Sequence, residues 1–328
     1  MPDPITPPPE PSSVLAAAAR IAPHARVTPV LRSSSLDALA TAQLHLKCEQ
    51  FQRVGAFKFR GACNAVWSLD DARAARGVAT HSSGNHGAAL ALAARSRGIA
   101  CHVVVPEGAP LAKLRAIEGH GAVVHRCAAS IAARGAACAQ LLERTGAVMV
   151  HPYTDPQVIA GQGTAALELL RAVAGLDDIV VPVGGGGLAA GTALAIALVA
   201  PQVRLHLAEP AGADDTARSL ASGQRQANAA PRTVCDGLRG DIGAINLDIL
   251  RQAGARVLTV DDAATIAALR LLATRAKLLV EPSAATALAA VMGSRHDFSG
   301  RRVGIVLSGG NLDLDALPAL LALSPEEA

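Results

Sequence analysis

Short β-branched runs alternate with alanine- and leucine-rich stretches of helical length, and this alternation constrains the fold more than any other feature of the chain. Val78–His81 precedes a helical stretch from about Asn85 to Arg97, Ala100–Val105 precedes Pro110–Glu118, and Ala122–His125 precedes Ser130–Arg144. Further runs are Val148–Val150, Ile179–Val183, Val203–Ala208, Val257–Val260 and Val303–Leu307. Repeated β-α units predict an α/β fold of parallel sheets flanked by helices. Sheets of that kind bind ligands at the carboxyl ends of their strands, in the loops that lead into helices.

Three of those loops are unusual. Ser82-Ser83-Gly84-Asn85-His86-Gly87 follows the first run, Gly184-Gly185-Gly186-Gly187 follows Ile179–Val183, and Ser308-Gly309-Gly310-Asn311 follows Val303–Leu307. Small, polar and glycine-rich residues at strand ends far apart in sequence describe one site assembled from distant segments.

Several function classes drop out. The formal net charge is +3 with scattered basic residues, and aromatic residues make up 2% of the chain, so nucleic-acid binding is not expected. The six cysteines (48, 63, 101, 127, 138, 235) show no Cys-x-x-Cys spacing and no accompanying histidine cluster, which disfavours zinc. They read as reduced thiols of a cytoplasmic protein. The proline-rich lead-in, residues 1–13, reads as disordered or extended and lacks the pattern of a signal peptide. The most apolar helical stretch, Leu188–Ala200, is too short to span a bilayer.

Lys58 lies between Phe57 and Phe59, in a chain with only four phenylalanines. Burial disfavours an ammonium and pushes a lysine toward its neutral form, which suits Schiff-base chemistry with a carbonyl. A surface lysine covering apolar neighbours with its stem is the plainer alternative. The four glycines expose backbone N–H groups at the start of a helix, an arrangement that takes phosphate. Gly185-x-Gly187-x-x-Ala190, with Glu209 near the end of the next strand, also fits a dinucleotide fingerprint and a nicotinamide oxidoreductase.

Taken together, Gly-Ala-Phe-Lys-Phe-Arg-Gly-Ala, Ser-Ser-Gly-Asn-His-Gly, the tetraglycine loop and Ser-Gly-Gly-Asn resemble fold-type II pyridoxal-phosphate enzymes of the serine racemase and serine/threonine dehydratase family. The resemblance runs in one order from Thr28-Pro29 to Asp313. It implies a two-domain, tryptophan synthase β-like fold, with 1–49 and 150–328 forming a large cofactor-binding domain and 50–149 a small mobile one. Lys58 would hold pyridoxal 5'-phosphate beside Phe57, Gly184 to Gly187 would cradle its phosphate, Asn85 would meet the ring hydroxyl, and Ser308 would face the pyridine nitrogen. In this picture Lys58 and the Ser82–His86 loop form one wall of the cleft, and the tetraglycine and Ser308 loops form the other.

Ser82, Ser83, Gly84, Asn85 and His86 would receive the substrate carboxylate, with Arg134 at the substrate entrance. In the racemase branch the residue matching Ser83 acts as a second acid/base opposite the lysine. Glu209, the Ala213 carbonyl and Asp215 look like a Mg²⁺ site that would also take Ca²⁺ or Mn²⁺. Ala56, Gly240 and Tyr153 depart from the racemase pattern. The implied activity is dehydration of an L-β-hydroxy amino acid (serine, threonine or 3-hydroxyaspartate) to a 2-oxo acid and ammonia, with serine or aspartate-type racemisation as the alternative. A homodimer is also implied. Nucleotide activation near Ser33 and Ser34 is known in that branch, but no phosphate motif supports it here.

Overall fold

The computed structural model describes residues 7–109 and 111–323. Its strands are β1 (Val30–Leu31), β2 (Gln43–Cys48), β3 (Val78–His81), β4 (Cys101–Pro106), β5 (Val123–Cys127), β6 (Val148–Met149), β7 (Asp178–Pro182), β8 (Arg204–Pro210), β9 (Arg256–Val260) and β10 (Arg302–Leu307). They form a six-stranded sheet in the order β1-β2-β10-β7-β8-β9 and a four-stranded sheet in the order β5-β4-β3-β6. Every pairing is parallel except that of β1 with β2. The expected α/β architecture is therefore present, with all eight anticipated runs inside the sheets.

The pair β1 and β2 was not anticipated. The sequence Gln-Leu-His-Leu-Lys-Cys has no β-branched residue, but it alternates, with Leu44, Leu46 and Cys48 sharing one face. Its polar face is buried as well: His45 is 7% exposed and Lys47 0%. Of the proline-rich lead-in, residues 1–6 lie outside the described residues. Pro7–Glu10 has no regular structure, and a turn at Pro11–Ser12 feeds the helix Ser13–Ile21. No helix among the described residues is long and apolar enough to cross a membrane.

One helix, Pro156–Ala172, sets the positions of the elements that bear the site. Asp155 caps it, its Oδ1 accepting from the amides of Gln157 (2.7 Å) and Val158 (3.2 Å), with Pro156 in the first turn. Glycines then let two other helices approach at backbone distance. A Cβ on Gly163 would lie 2.5 Å from the Gly191 carbonyl oxygen, and one on Gly161 would lie 2.7 Å from that of Arg60. The first contact brings in the helix Gly187–Val199 and the second brings in Lys58–Trp67. Each begins with a residue of the site.

This packing yields a direct expectation. A Cβ on Gly191 would meet the Ile159 carbonyl at 2.4 Å, so Gly191→Val overpacks the seam. That should cost about 1–3 kcal/mol and lower the melting temperature by roughly 2–12 °C. Gly293→Ala, where a Cβ meets nothing within 4 Å, should not lower it. Differential scanning fluorimetry on both variants checks the contrast.

Candidate active site

The three glycine-rich loops and the lysine converge on one cavity of about 630 Å³. Phe57, Lys58, Ser82, Ser83, Gly84, Asn85, His86, Arg134, the four glycines Gly184 to Gly187, and Ser308 all line it. Every residue expected to bind cofactor or substrate is thus brought together. The arrangement of the walls differs from the expectation. The lysine segment does not face the Ser308 loop; it is stitched to it, because Phe57 N donates to Ser308 O at 3.0 Å and Ala56 bridges Gly309. The turn before it is tight: Val54 and Gly55 both have positive φ, 56° and 69°. For a β-branched residue that conformation is an outlier. Asn311 holds the turn, its Nδ2 donating to Val54 O and to Asn85 Oδ1, each at 2.8 Å.

Lys58 opens its helix with the amine donating to Pro152 O at 2.9 Å and lying 5.1 Å from the centre of the Phe57 ring. Burial pushes its pKa down to about 8, with the charge of Glu281 acting in the opposite direction. Glu281 is 6% exposed. Burial pushes its carboxyl up to about 7, although Asn85 Nδ2 donates to both oxygens at 3.1 and 3.2 Å. A base near 8 and an acid near 7 in one cavity suit proton transfer at neutral pH. Two imidazoles beside them are held neutral. Burial, then the charge of Lys58, drives His86 well below its ordinary value. Burial, with His81 next and Lys58 after it, pushes His151 down to about 3. His86 Nε2 lies 3.3 Å from Val150 O, so the neutral ring donates there and leaves Nδ1, buried, without a partner.

The tetraglycine loop fits a phosphate. It follows β7 and opens the helix Gly187–Val199, whose first-turn amides have no acceptor within the helix; Ala190 N is bonded back to Gly186 O at 2.8 Å. The Gly185 carbonyl is taken by Asn246 Nδ2 (2.6 Å) and Gly243 N (3.2 Å). Side chains are barred. A Cβ would lie 2.8 Å from Leu238 Cα at position 184 and 2.5 Å from the Tyr153 ring at 185. At 186, where φ is +89°, it would lie 2.3 Å from Ile242 Cδ1. Bare amides at a helix N-terminus on the cavity wall are what a phosphate requires.

Glu209 and Asp215 are fully buried and Ala213 is 1% exposed. The carboxylate oxygens already accept hydrogen bonds. Glu209 accepts from the amides of Thr216 and Ala217, both at 2.8 Å, and Asp215 accepts from Ile242 N (2.7 Å) and Asn228 Nδ2 (2.5 Å). Burial, the largest influence, and the neighbouring charge of Asp215 push Glu209 up to about 7. Among the described residues no group of three or more His, Cys, Asp and Glu side chains could hold a metal ion.

Sequence reasoning missed Glu281, Asn311 as a tie between loops, and the ion pair of Lys113 with Asp236 at the cavity. The signal for Glu281 was present: a single carboxylate between Val280 and Pro282, at the head of the alanine-rich helix Pro282–Gly293.

Comparison with known proteins agrees with this geometry. The sequence profile of the family described as "Pyridoxal-phosphate dependent enzyme" matches residues 21–309. The chain is 47% identical over 305 residues to the beta-hydroxyaspartate dehydratase of Paracoccus denitrificans, covering 93% of this chain and 97% of that one. It is 44% identical over 308 residues to the serine racemase of Dictyostelium discoideum, covering 92% and 94% of the two. The structure of maize serine racemase superposes with a TM-score of 0.91 at 42% identity, covering 96% and 97% of the two chains.

The coupling of Lys58 to Glu281 can be read directly. In cofactor-free protein, the rate of Lys58 modification by an amine reagent, followed by mass spectrometry, should turn on with a midpoint near pH 8. Because Glu281 raises the pKa of the amine, Glu281→Gln should move the midpoint to lower pH. A midpoint at the ordinary lysine value in the wild type would contradict the buried setting.

Proposed function

The chain belongs to the pyridoxal-phosphate-dependent enzyme family, and from that premise we propose that it is an ammonia-lyase that dehydrates an L-β-hydroxy amino acid, with 3-hydroxyaspartate as the preferred substrate. The observation that carries the reading is one cavity holding a lysine amine with a pKa near 8, a wall of bare amides and the guanidinium of Arg134. Lys58 and the loop Gly184 to Gly187 would hold the cofactor, with Phe57, Asn85 and Ser308 around its ring. When bound, pyridoxal phosphate supplies an electron sink that stabilises negative charge at the substrate Cα.

The chain's own groups supply the rest. Ser82 to His86 receive the α-carboxylate on hydroxyls and amides at the head of the helix Asn85–Arg97. Lys58, near neutrality, takes the Cα proton as general base. Arg134 pairs with the second carboxylate of a dicarboxylic substrate. Loss of the β-hydroxyl as water, then hydrolysis off the enzyme, gives the 2-oxo acid and ammonia. The small unit, 50–149, carries both Ser83 and Arg134, and its closure excludes water. The likeness to beta-hydroxyaspartate dehydratase supports this order of preference.

A second reading, racemisation, rests on Ser83 lining the cavity with Lys58 and on the likeness to serine racemases. Here Ser83 returns a proton to Cα on the face opposite the lysine. The enzyme is taken as a cytoplasmic homodimer; its six cysteines are free and buried.

The test is to incubate the loaded enzyme with L-serine, L-threonine and L-threo-3-hydroxyaspartate and to measure oxo acid and D-amino acid in each. 3-Hydroxyaspartate should give the fastest oxo-acid release, and Lys58→Ala should lose both activity and the visible absorption of lysine-bound cofactor. Arg134→Gln should lower kcat/KM for 3-hydroxyaspartate about 10- to 100-fold, the worth of one charge-assisted hydrogen bond, with little change for serine. Ser83→Ala should abolish D-amino acid while oxo-acid release persists, lowered only by the lost carboxylate contact. Equal losses on serine and hydroxyaspartate in Arg134→Gln would remove the dicarboxylate preference.

Glu209, Asp215 and the Ala213 carbonyl are the proposed cation ligands, with waters completing the shell of a Mg²⁺-like ion. Added Mg²⁺ should raise the melting temperature of the wild type and not that of Glu209→Gln. An identical response in both would remove the site.

A further inference from the structure

A second cavity, of about 420 Å³, lies between the β1–β2 edge and the C-terminal end of the helix Pro156–Ala172. None of its lining residues belongs to the cavity around Lys58. Its polar lining includes Arg32, His45, Lys47, Glu168 and Arg302. Three of these have their charges answered. Arg32 pairs with Asp37 at 2.6 Å, and Lys47 pairs with Glu168 at 2.6 Å. The other two are left over. His45 is 7% exposed, and its Nε2 is buried without a hydrogen-bond partner. The Nε of Arg302 is buried without a partner too, and among the described residues its guanidinium makes no ion pair.

Two residues of this lining thus carry a buried nitrogen without a partner, and buried polar groups in folded proteins are nearly always bonded. One ordered water would satisfy a pair of donors, but this cavity has room for many waters at about 30 Å³ each. Arg302, half-buried and without an ion pair among the described residues, adds a positive charge to the lining. The lining also includes the apolar side chains of Val30 and Val173. A cation, an imidazole nitrogen and apolar side chains in a cavity of this size match a small organic oxyanion.

We propose that this cavity is a binding site for a small oxyanion, a carboxylate or phosphate ester, held by Arg302 and His45 on the paired strands β10 and β2. The site stands independently of the reading given for the Lys58 cavity. It shares Lys47 and Glu168 with the buried cluster that holds Arg60, so its occupant sits against the framework of the lysine helix.

Protein loaded with pyridoxal phosphate is the right material, because its glycine loop is then filled and cannot take the probe. Inorganic phosphate and acetate serve as the two probes, each compared with chloride at equal ionic strength. At about 50 mM, the preferred probe should raise the melting temperature by roughly 3–9 °C, as expected for a millimolar site, and titration calorimetry should give one site per chain. Phosphate alone acting assigns a phosphate ester, and acetate alone a carboxylate. Arg302→Gln and His45→Gln should each lose the shift; His45→Gln keeps the test open where Arg302→Gln does not fold. No shift beyond chloride with either probe, or equal shifts in wild type and both variants, overturns the proposal.

Discussion

The fully buried guanidinium of Arg60, two residues after Lys58, ties together the segments on which the cavity rests. Glu49, at the end of β2, takes two of its N–H groups, Nε at 2.7 Å and Nη2 at 2.9 Å. Glu168, on the helix Pro156–Ala172, takes Nη1 at 2.7 Å and Nη2 at 2.9 Å. Thr164 accepts at 3.2 Å, and Thr28 donates its hydroxyl to Glu49 at 2.5 Å. Burial works against the charge on Arg60, but Glu49 and Glu168 outweigh it and hold the group protonated. A buried pair of this kind is weak evidence for stability, since an apolar replacement of similar shape does as well; breaking one side costs about 3–5 kcal/mol. Its contribution is position. It fixes where the lysine helix begins relative to β2 and to the helix that also seats the glycine loop.

From that fixed start the electrostatics of the cavity follow. The same lack of water that lowers Lys58 raises Glu281 and keeps His86 and His151 neutral. The sequence of pKa values matters more than any one of them. The lysine and the glutamate both stand near neutrality, so each can exchange a proton in this cavity. The unfavourable φ at Val54 belongs to the same economy of position. It turns the chain sharply enough that Phe57 N reaches Ser308 O, and the Asn311 amide offsets the strain from the other side.

How much of this was legible in the sequence varies with the kind of interaction. The parallel sheets and the three loops could be read because periodicity and glycine clusters are local signals. That the loops bearing Ser83, Asn85, Gly184 to Gly187 and Ser308 share one site followed from their place at strand ends; that Lys58 joins them came from resemblance. Composition alone left a nicotinamide site open through Gly185, Gly187 and Glu209. β2 went unseen because its inward lysine and histidine mimic an exposed face; Lys47 can be buried because Glu168, 121 residues away, and the Thr28 carbonyl answer its ammonium. Glu281 and Asn311 act through tertiary contacts, and a single glutamate before a proline carries no periodicity. The walls of the cleft were misplaced for the same reason. The bond from Phe57 to Ser308 joins segments about 250 residues apart, and nothing local encodes it.

On the proposed reading, the fate of one proton separates the two activities. Once Lys58 has taken the Cα proton, its pKa near 8 makes the ammonium a competent acid as well as a base. Returned to the same face of Cα, that proton undoes the step. Passed to the departing β-hydroxyl, it drives elimination. Racemisation needs a different proton, from Ser83. The imidazoles of His86 and His151 are neutral and poor acids beside it. A serine hydroxyl without a cationic acid behind it donates slowly, whereas the lysine already holds its proton. The burial that brings Lys58 to about 8 therefore serves elimination through one group, whereas racemisation also needs Ser83.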